Sequence, residues 1–496
     1  EPYQFTEHDF HFPPGDLGAR LRQLQLVFRF RAQGDDDEAV FQPFWQRDEH
    51  GRFISFSTRA RRNDHGVKTT WRFIDQSGDV LPMEGTEAAL AHLRAYYPVL
   101  RLRDARFGRR GRHSETDADR RASTLSELTQ EVEKLTRDLV VSPQNLSDDL
   151  LRQGLHTMQQ LLEHYFLVQQ PGSSAARVAP ETRDGSQGWR SLDKLNHLIA
   201  GTESRSRQVI LLRMFSLLIQ AHGNEALPAG AHPLLLVEDP ETRLHPIMLS
   251  VAWNLLELMP LQKITTTNSG ELLSQVPLEN ICRLVREPTR VAAWRIGPEG
   301  LSAEESRRIG FHIRVNRPSA LFARCWLLVE GETEVWIINE LARQRGYHFA
   351  AEGVKVIEFA QSGLKPLLKF ARRMGIAWHV LTDGDQAGAK YAASARSQLQ
   401  DHEQEADHLT QFPAPDIEHF LYKQGFSDVY HQTAHLPLNV PMNARRIITK
   451  AIHHSSKPEL AIAVAMAAAE RGPEAIPPLL DQLFARVMWL ARGRAD

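Results

Sequence analysis

The chain has 496 residues, 42% of them hydrophobic and 24% charged, which is enough material for two to four domains with their own cores. A formal charge of −2 excludes a uniformly basic nucleic-acid coat and an acidic disordered tail, but leaves room for a local basic groove. Arginine dominates the 59 cations, and its guanidinium suits bidentate phosphate contact, although codon usage explains such an excess equally well. Cys282 and Cys325 can make neither a disulfide framework nor a four-cysteine zinc site, so a reducing cytoplasm is the expected compartment. No apolar run approaches the ~18–20 residues of a membrane span, and no signal-peptide pattern opens the chain. The longest apolar run, Leu460 to Ala469, reads as a buried helix.

Residues 1–112 read mainly as antiparallel strands. Leu24, Leu26, Phe28 and Phe30 alternate with polar neighbours, the period of a half-buried strand, and Val67, Thr69, Trp71 and Phe73 repeat it. Near Arg112 the texture changes. Leu125, Leu128, Val132, Leu135 and Leu139 form a short heptad stripe, Ser142-Pro143 breaks it, and Leu151, Leu155, Met158, Leu162 and Tyr165 form a second. Residues 113–188 are therefore expected to be a helical hairpin and return linker, an arm that can also make a homodimer. From Trp189 apolar strands alternate with helices, so the expected class is α/β. A compact βαβαβα series follows residue 316, with strands at Trp326–Val329, Val354–Ile357 and Trp378–Leu381, and helices occupy 441–496.

Two strand tips carry carboxylates. The first is Leu234-Leu235-Leu236-Val237-Glu238-Asp239-Pro240, continuing into Glu241-Thr242-Arg243-Leu244-His245-Pro246. An apolar strand ending in adjacent acids is how many nucleotide hydrolases hold Mg²⁺ and orient water. This segment resembles the Walker B strand and D-loop of ABC-type ATPases that work on DNA ends, and Ile264-Thr265-Thr266-Thr267-Asn268-Ser269 resembles their switch strand. The resemblance implies ATPase roles for Glu238, Asp239 and Asn268 within a domain spanning 1–112 and 189–315. Three departures stand out. Asn268 replaces the usual histidine, Ser204 to Gln208 lacks the signature glycine, and no G-x-x-x-x-G-K-[ST] loop occurs. The expectation is that the missing strand and P-loop lie upstream of Glu1, a variant without a P-loop being the alternative, and ATP is an expected ligand only with that loop.

The second pair of tips is Leu327-Leu328-Val329-Glu330-Gly331-Glu332-Thr333-Glu334 and His379-Val380-Leu381-Thr382-Asp383-Gly384-Asp385. Each glycine lets the chain turn so that neighbouring acids converge, and such clustered carboxylates call for a divalent cation. These residues resemble the Toprim fold, and its order after an ATPase region resembles the overcoming-lysogenization-defect (OLD) nucleases. The resemblance implies a Toprim domain at 316–440 and a DNA endonuclease or nickase. It further implies a pair of Mg²⁺ or Mn²⁺ ions shared among Glu330, Glu334, Asp383, Asp385, Asp416 and Glu418. Lys457, in Ser456-Lys457-Pro458, matches the family's late lysine at the reacting phosphate. Glu330 and Asp383 join it as expected catalytic residues. Lys390 reads as a surface cation, and Glu332 points elsewhere by its spacing. No tyrosine sits in a recognisable strand-passage module, and two separated cysteines supply no primase zinc segment, so nuclease is favoured. The competing reading is a DNA-end-binding ATPase scaffold whose Toprim site is inactive. DNA repair and phage defence enter only as what the resemblance implies.

Overall fold

The computed structural model describes residues 4–10, 23–32, 39–63, 66–82, 84–102, 134, 147–162, 204–205, 207–209, 211–212, 233–242, 246–258, 262–287, 290–297 and 300–493. The chain falls into two units, Glu1–Asn268 and Ser269–Asp496. Most of the expected arm, including Leu125 to Leu139 and the return linker, lies outside the described residues. Among those described, no helix is long and apolar enough to cross a membrane.

In the first unit the alternating segments form an antiparallel sheet. Strand β3 (Gly51–Asn63) pairs with β1 (Gln23–Arg31), β2 (Gln46–Asp48) and β4 (Gly66–Ile74). Phe41, Phe44, Ile54 and Phe73 build its core beside helix α1 (Thr86–Tyr96), with the Phe44 and Phe73 rings stacked at 4.1 Å. The expected half-burial of β1 is met at Leu24 and Phe30, which are partly buried, but not at Leu26 and Phe28, which are 47% and 46% exposed. Alternation set that strand's conformation, but among the described residues only Phe30 of its apolar side chains packs against the core beneath the sheet.

The same unit also contains parallel pairing. Strand β5 (Val99–Leu102) lies beside β6 (Leu234–Glu238), which lies beside β7 (Gln262–Thr266). Helix α2 (Asp148–Leu162) buries Leu151, Leu155 and Met158 as their spacing predicts. Helix α3 (Pro246–Leu258) follows β6 and buries Leu249, Ala252, Leu255 and Leu256.

The second unit begins with helix α4 (Gly270–Gln275), an antiparallel hairpin of β8 (Arg283–Arg286) and β9 (Val291–Trp294), and helix α5 (Ala303–Ile309). A four-stranded sheet follows in the order β11 (Val354–Glu358), β10 (Cys325–Val329), β12 (Ala377–Thr382) and β13 (Leu409–Gln411), all parallel. Every side chain of β10 and β12 is buried, as expected of strands covered on both faces. Cys325, Leu327 and Val329 face one core with helices α6 (Glu332–Arg345), α12 (Ala444–His454), α13 (Lys457–Arg471) and α14 (Pro478–Arg492). Trp326 and Leu328 face the other, with α7 (Leu364–Arg373) and α8 (Gln386–Arg396).

Residues 278–323 also pack on that second face. Leu278, Ile281, Ile296, Ile309 and Ile313 share a core with Trp326 and Phe370. Arg283 ties the hairpin down by donating to the carbonyls of Leu321, Ala323, Met374 and Gly375. Trp294 stands against Gly375, which has φ +63° and where a Cβ would lie 2.5 Å from the indole. Trp326 stacks on Phe370 at 5.8 Å and donates its indole N–H to Ala320. Truncating such a residue costs on the order of 3–5 kcal/mol.

Between β13 and α12 come α10 (Ile417–Leu421), a π-turn at Tyr422–Phe426 and α11 (Ser427–Thr433), after the short α9 (Glu405–His408) that leads into β13. The apolar run from Leu460 lies in α13 but is only partly buried: Leu460, Ala461, Val464, Ala465 and Ala468 face the core, whereas Ile462 and Met466 are exposed.

Candidate metal centre

Every acid singled out in the second half lies just beyond the C-terminal end of a parallel strand or in the helical turn that follows, where open α/β sheets expose backbone and side chains to ligands. Glu330 follows β10, and Gly331 is the N-cap of α6, so Glu334 falls in that helix's first turn. The Glu334 carboxylate folds back over Gly331 and takes hydrogen bonds from the amides at the helix start. Glu332, on the next residue of the turn, is exposed.

Beyond β12, Asp383 is half-buried and Asp385 exposed. The turn between them leaves no space for other residues. A Cβ on Gly384 would lie 2.4 Å from the carbonyls of Phe412 and Ala414, and one on Gly388 would lie 2.0 Å from that of Asp383. Gly384 donates its amide to Ala414, and Gln411 Nε2 donates to the Asp383 carbonyl at 3.1 Å. Asp385 caps α8 by accepting from the Gly388 amide at 2.7 Å. One of its carboxylate oxygens is therefore committed to the helix.

Asp416 does the same for α10, accepting from the His419 amide and from His419 Nδ1, both at 2.7 Å. His419 was not singled out by sequence reasoning. Its only signal was position i+3 from Asp416, the spacing at which a helical cap meets its donor. Glu418, in the first turn of α10, is only 6% exposed. Lys457, the first residue of α13, places Nζ 3.0 Å from Glu418 Oε1 as an ion pair without hydrogen-bond alignment. Lys390 is on the exposed side of α8, as its sequence setting suggested.

These groups perturb one another. Burial, reinforced by Glu330, Glu334, Asp416 and Glu418, pushes Asp383 up to about 8, so it keeps its proton at neutral pH. Burial also raises Glu330, helped by Glu334 and Asp385, and raises Glu334, helped by Glu418. Burial works against the charged form of Lys457, but Glu418, Glu334 and Asp416 outweigh it and hold its pKa above the ordinary lysine value. Glu330 Oε2 is buried with no hydrogen-bond partner. A carboxylate oxygen left this way carries a desolvation cost that a cation would remove.

Among the described residues no three Asp, Glu, His or Cys side chains stand close enough to form a ready metal-ligand group. The acids are instead within electrostatic reach of each other, which adds to burial in raising the pKa of Asp383, and Lys457 pairs with Glu418 among them. Their hard oxygen chemistry, the orphaned Glu330 oxygen and their mutual repulsion fit the chemistry of a divalent cation.

The first unit's acidic tip is organised differently. Glu238, at the end of β6, pairs with Arg101 of β5. Asp239 has φ 41°, an uncommon conformation for a side-chain-bearing residue, and accepts from Thr266 Oγ1 at 3.1 Å. Glu241 accepts from Thr267 Oγ1 at 2.9 Å and from the Asn268 amide at 2.6 Å. Glu238, Asp239 and Asn268 thus do lie together at the ends of adjacent parallel strands. Sequence reasoning missed Arg101 and the part Glu241 plays in holding the 267–268 turn.

Comparison with known proteins completes the description. The family described as protein of unknown function (DUF2813) matches residues 1–320, and the overcoming lysogenization defect protein-like TOPRIM domain matches residues 321–385. The chain is 55% identical over 503 residues to the uncharacterized protein YbjD of Escherichia coli (strain K12), spanning 100% of this chain and 91% of that one. Solved structures that resemble part of the chain include the C-terminal region of the Burkholderia pseudomallei OLD protein, 17% identical with a TM-score of 0.30. That match spans 34% of this chain and 99% of the other. The C-terminal region of the Xanthomonas campestris pv. campestris OLD protein is 14% identical with a TM-score of 0.28, over 35% of this chain and 96% of that one. The chain belongs to the DUF2813 family and carries a segment that matches the overcoming lysogenization defect protein-like TOPRIM domain.

Proposed function

We propose that the C-terminal unit is a divalent-metal-dependent DNA endonuclease or nickase. The observation that carries this reading is the convergence of carboxylates: half-buried Asp383 lies within electrostatic reach of Glu330, Glu334, Asp416 and Glu418, which add to burial in raising its pKa, beside a Glu330 oxygen buried without a hydrogen-bond partner. When bound, Mg²⁺ or Mn²⁺ ions in a pair would supply an activated water and a neutralised leaving oxygen. Glu330, Glu334, Asp383, Asp385, Asp416 and Glu418 would hold them, and Asp383 would release its proton on binding. Lys457, half exposed and already cationic, would offset charge growing on the attacked phosphate. Asp385 and Asp416, each anchored by a helix N-terminus, would present their remaining oxygens in fixed directions.

The reading extends to the first unit as an ABC-type ATPase module, with Glu238, Asp239 and Asn268 at its nucleotide edge and ATP bound only where a P-loop completes it. It also includes a homodimer formed through the 113–188 arm. Domain limits of 1–112 with 189–315, 316–440 and 441–496 belong to the same proposal, although Leu278, Ile281, Ile296, Ile309 and Ile313 pack in the core of the second unit.

Plasmid cleavage with Mn²⁺ or Mg²⁺, compared between wild type, Glu330→Ala and Asp383→Ala, tests the central claim. Cleavage that survives Asp383→Ala belongs to another site. Absence of metal-dependent cleavage in wild type would instead favour the scaffold reading, in which the Toprim acids are relics.

A further inference from the structure

Helix α12 has two unlike faces. Ile447, Ile448 and Ala451 are buried in the core, whereas Arg445, Arg446, Thr449, Lys450, His453 and His454 are exposed. The helix contains no acid. Among the described residues, Arg445, Arg446 and Lys450 have no ion-pair partner. Of the other exposed arginines in the unit, Arg343 meets Glu340, Arg396 meets Glu405 and Arg492 meets Glu352, whereas Arg286, Arg295, Arg307 and Arg373 are also without an ion pair among the described residues but are scattered over different elements rather than gathered on one helix face. A chain of nearly balanced charge that leaves three cations unmatched on one helix face concentrates positive potential there.

That face ends where the acidic cluster begins. Ser455 closes α12, Ser456 caps α13 by accepting from the Glu459 amide, and the next residue is Lys457, which meets Glu418. A cluster of carboxylates repels a polyanion, so a nearby cationic surface offsets that repulsion for any phosphate chain that reaches it. From Arg445 to His454 the helix rises about 14 Å, about four base-pair steps measured along the axis of a duplex.

We propose that the exposed face of α12 is a docking surface for the phosphate backbone of duplex DNA, delivering it to Lys457 and the carboxylate cluster. The proposal rests on the nuclease reading, but its test does not require cleavage. Binding of a fluorescein-labelled duplex to the 496-residue chain is followed by anisotropy in EDTA across a salt series. The variant carries Arg445→Gln, Arg446→Gln and Lys450→Gln together, and Arg343→Gln, whose cation is paired, is the control. Circular dichroism checks that both remain folded.

The triple variant is expected to flatten the log–log salt slope by roughly 2 to 3, about 0.9 for each phosphate that is no longer neutralised, while the control keeps the wild-type slope. An unchanged slope overturns the proposal, as does an equal flattening in the control. Failure of wild type to bind the duplex also overturns it, including the case where it binds anionic phosphatidylglycerol vesicles instead. If the slope falls but wild type cuts no plasmid with Mn²⁺, the docking surface stands and the nuclease reading fails. If wild type cuts but the slope holds, the reverse is true.

Discussion

The two acidic strand tips look alike in sequence and differ in how their charge is balanced. At β6 the protein supplies partners: Arg101 for Glu238, Thr266 for Asp239, and Thr267 with the Asn268 amide for Glu241. At β10 and β12 the acids mainly face other acids, so burial among them raises the pKa of Asp383 to about 8 and Glu330 keeps an unpartnered oxygen. The first tip is balanced from within, whereas the second is balanced only in part, by Lys457. The same motif, apolar strand then carboxylate, therefore describes two electrostatic states, and the second is the one that chemistry with a divalent cation requires.

The largest test of this contrast is loss of a carboxylate. Asp383→Ala and Glu330→Ala should reduce metal-dependent plasmid cleavage to background, whereas Glu238→Ala should leave that cleavage measurable. A smaller loss is expected from Lys457→Ala. Calorimetric Mn²⁺ binding should persist while single-turnover cleavage slows by about 10²–10³-fold, the effect of removing one preorganised charge interaction. Wild-type kinetics in Lys457→Ala would remove lysine from the chemistry and leave it as the Glu418 counter-ion.

The turn that holds Asp383 can be broken without touching an acid. Gly388→Ala forces a Cβ to within 2.0 Å of the Asp383 carbonyl, so the backbone must move. Thermal unfolding should show a loss of about 1–3 kcal/mol, with weakened Mn²⁺ binding beside it.

Proton linkage sharpens the contrast further. Because Asp383 is raised to about 8, the folded metal-free protein holds a proton that the unfolded chain releases near pH 4. Its contribution to stability is fully present below about pH 4 and is lost as pH rises toward and through about 8. Denaturant unfolding in EDTA should therefore show a downward slope with pH in that window, and Asp383→Asn should flatten it. Mn²⁺ affinity should rise over the same window as the competing proton leaves. The smallest expected effect is in the first unit. Glu241→Ala removes two hydrogen bonds to the 267–268 turn and should cost about 1–3 kcal/mol locally, seen as faster amide exchange at Asn268.

Much of this architecture was legible in the chain. Continuous apolar runs announced β10 and β12 because strands covered on both faces need no alternation, and the acids at their ends could be named from the glycine turns alone. Alternation likewise announced β1 as a strand, but it could not foretell that Leu26 and Phe28 would stay half exposed, since burial depends on what packs above the strand. The hairpin at 283–294 and its packing against the Toprim sheet were also unforeseen. Arg283 gave no sequence signal because its acceptors, the carbonyls of Leu321, Ala323, Met374 and Gly375, are scattered along the chain.

The sequence by itself determined which residues end strands in carboxylates, because strand period and turn chemistry are local properties read over a few neighbours. Only the tertiary structure decided which of those acids would be neutralised and by what. Asp385 and Asp416 became helix caps, Glu418 met a lysine 39 positions later, and Glu238 met an arginine 137 positions earlier. Such pairings depend on which strands and helices become neighbours, and on how much water burial removes from between their side chains.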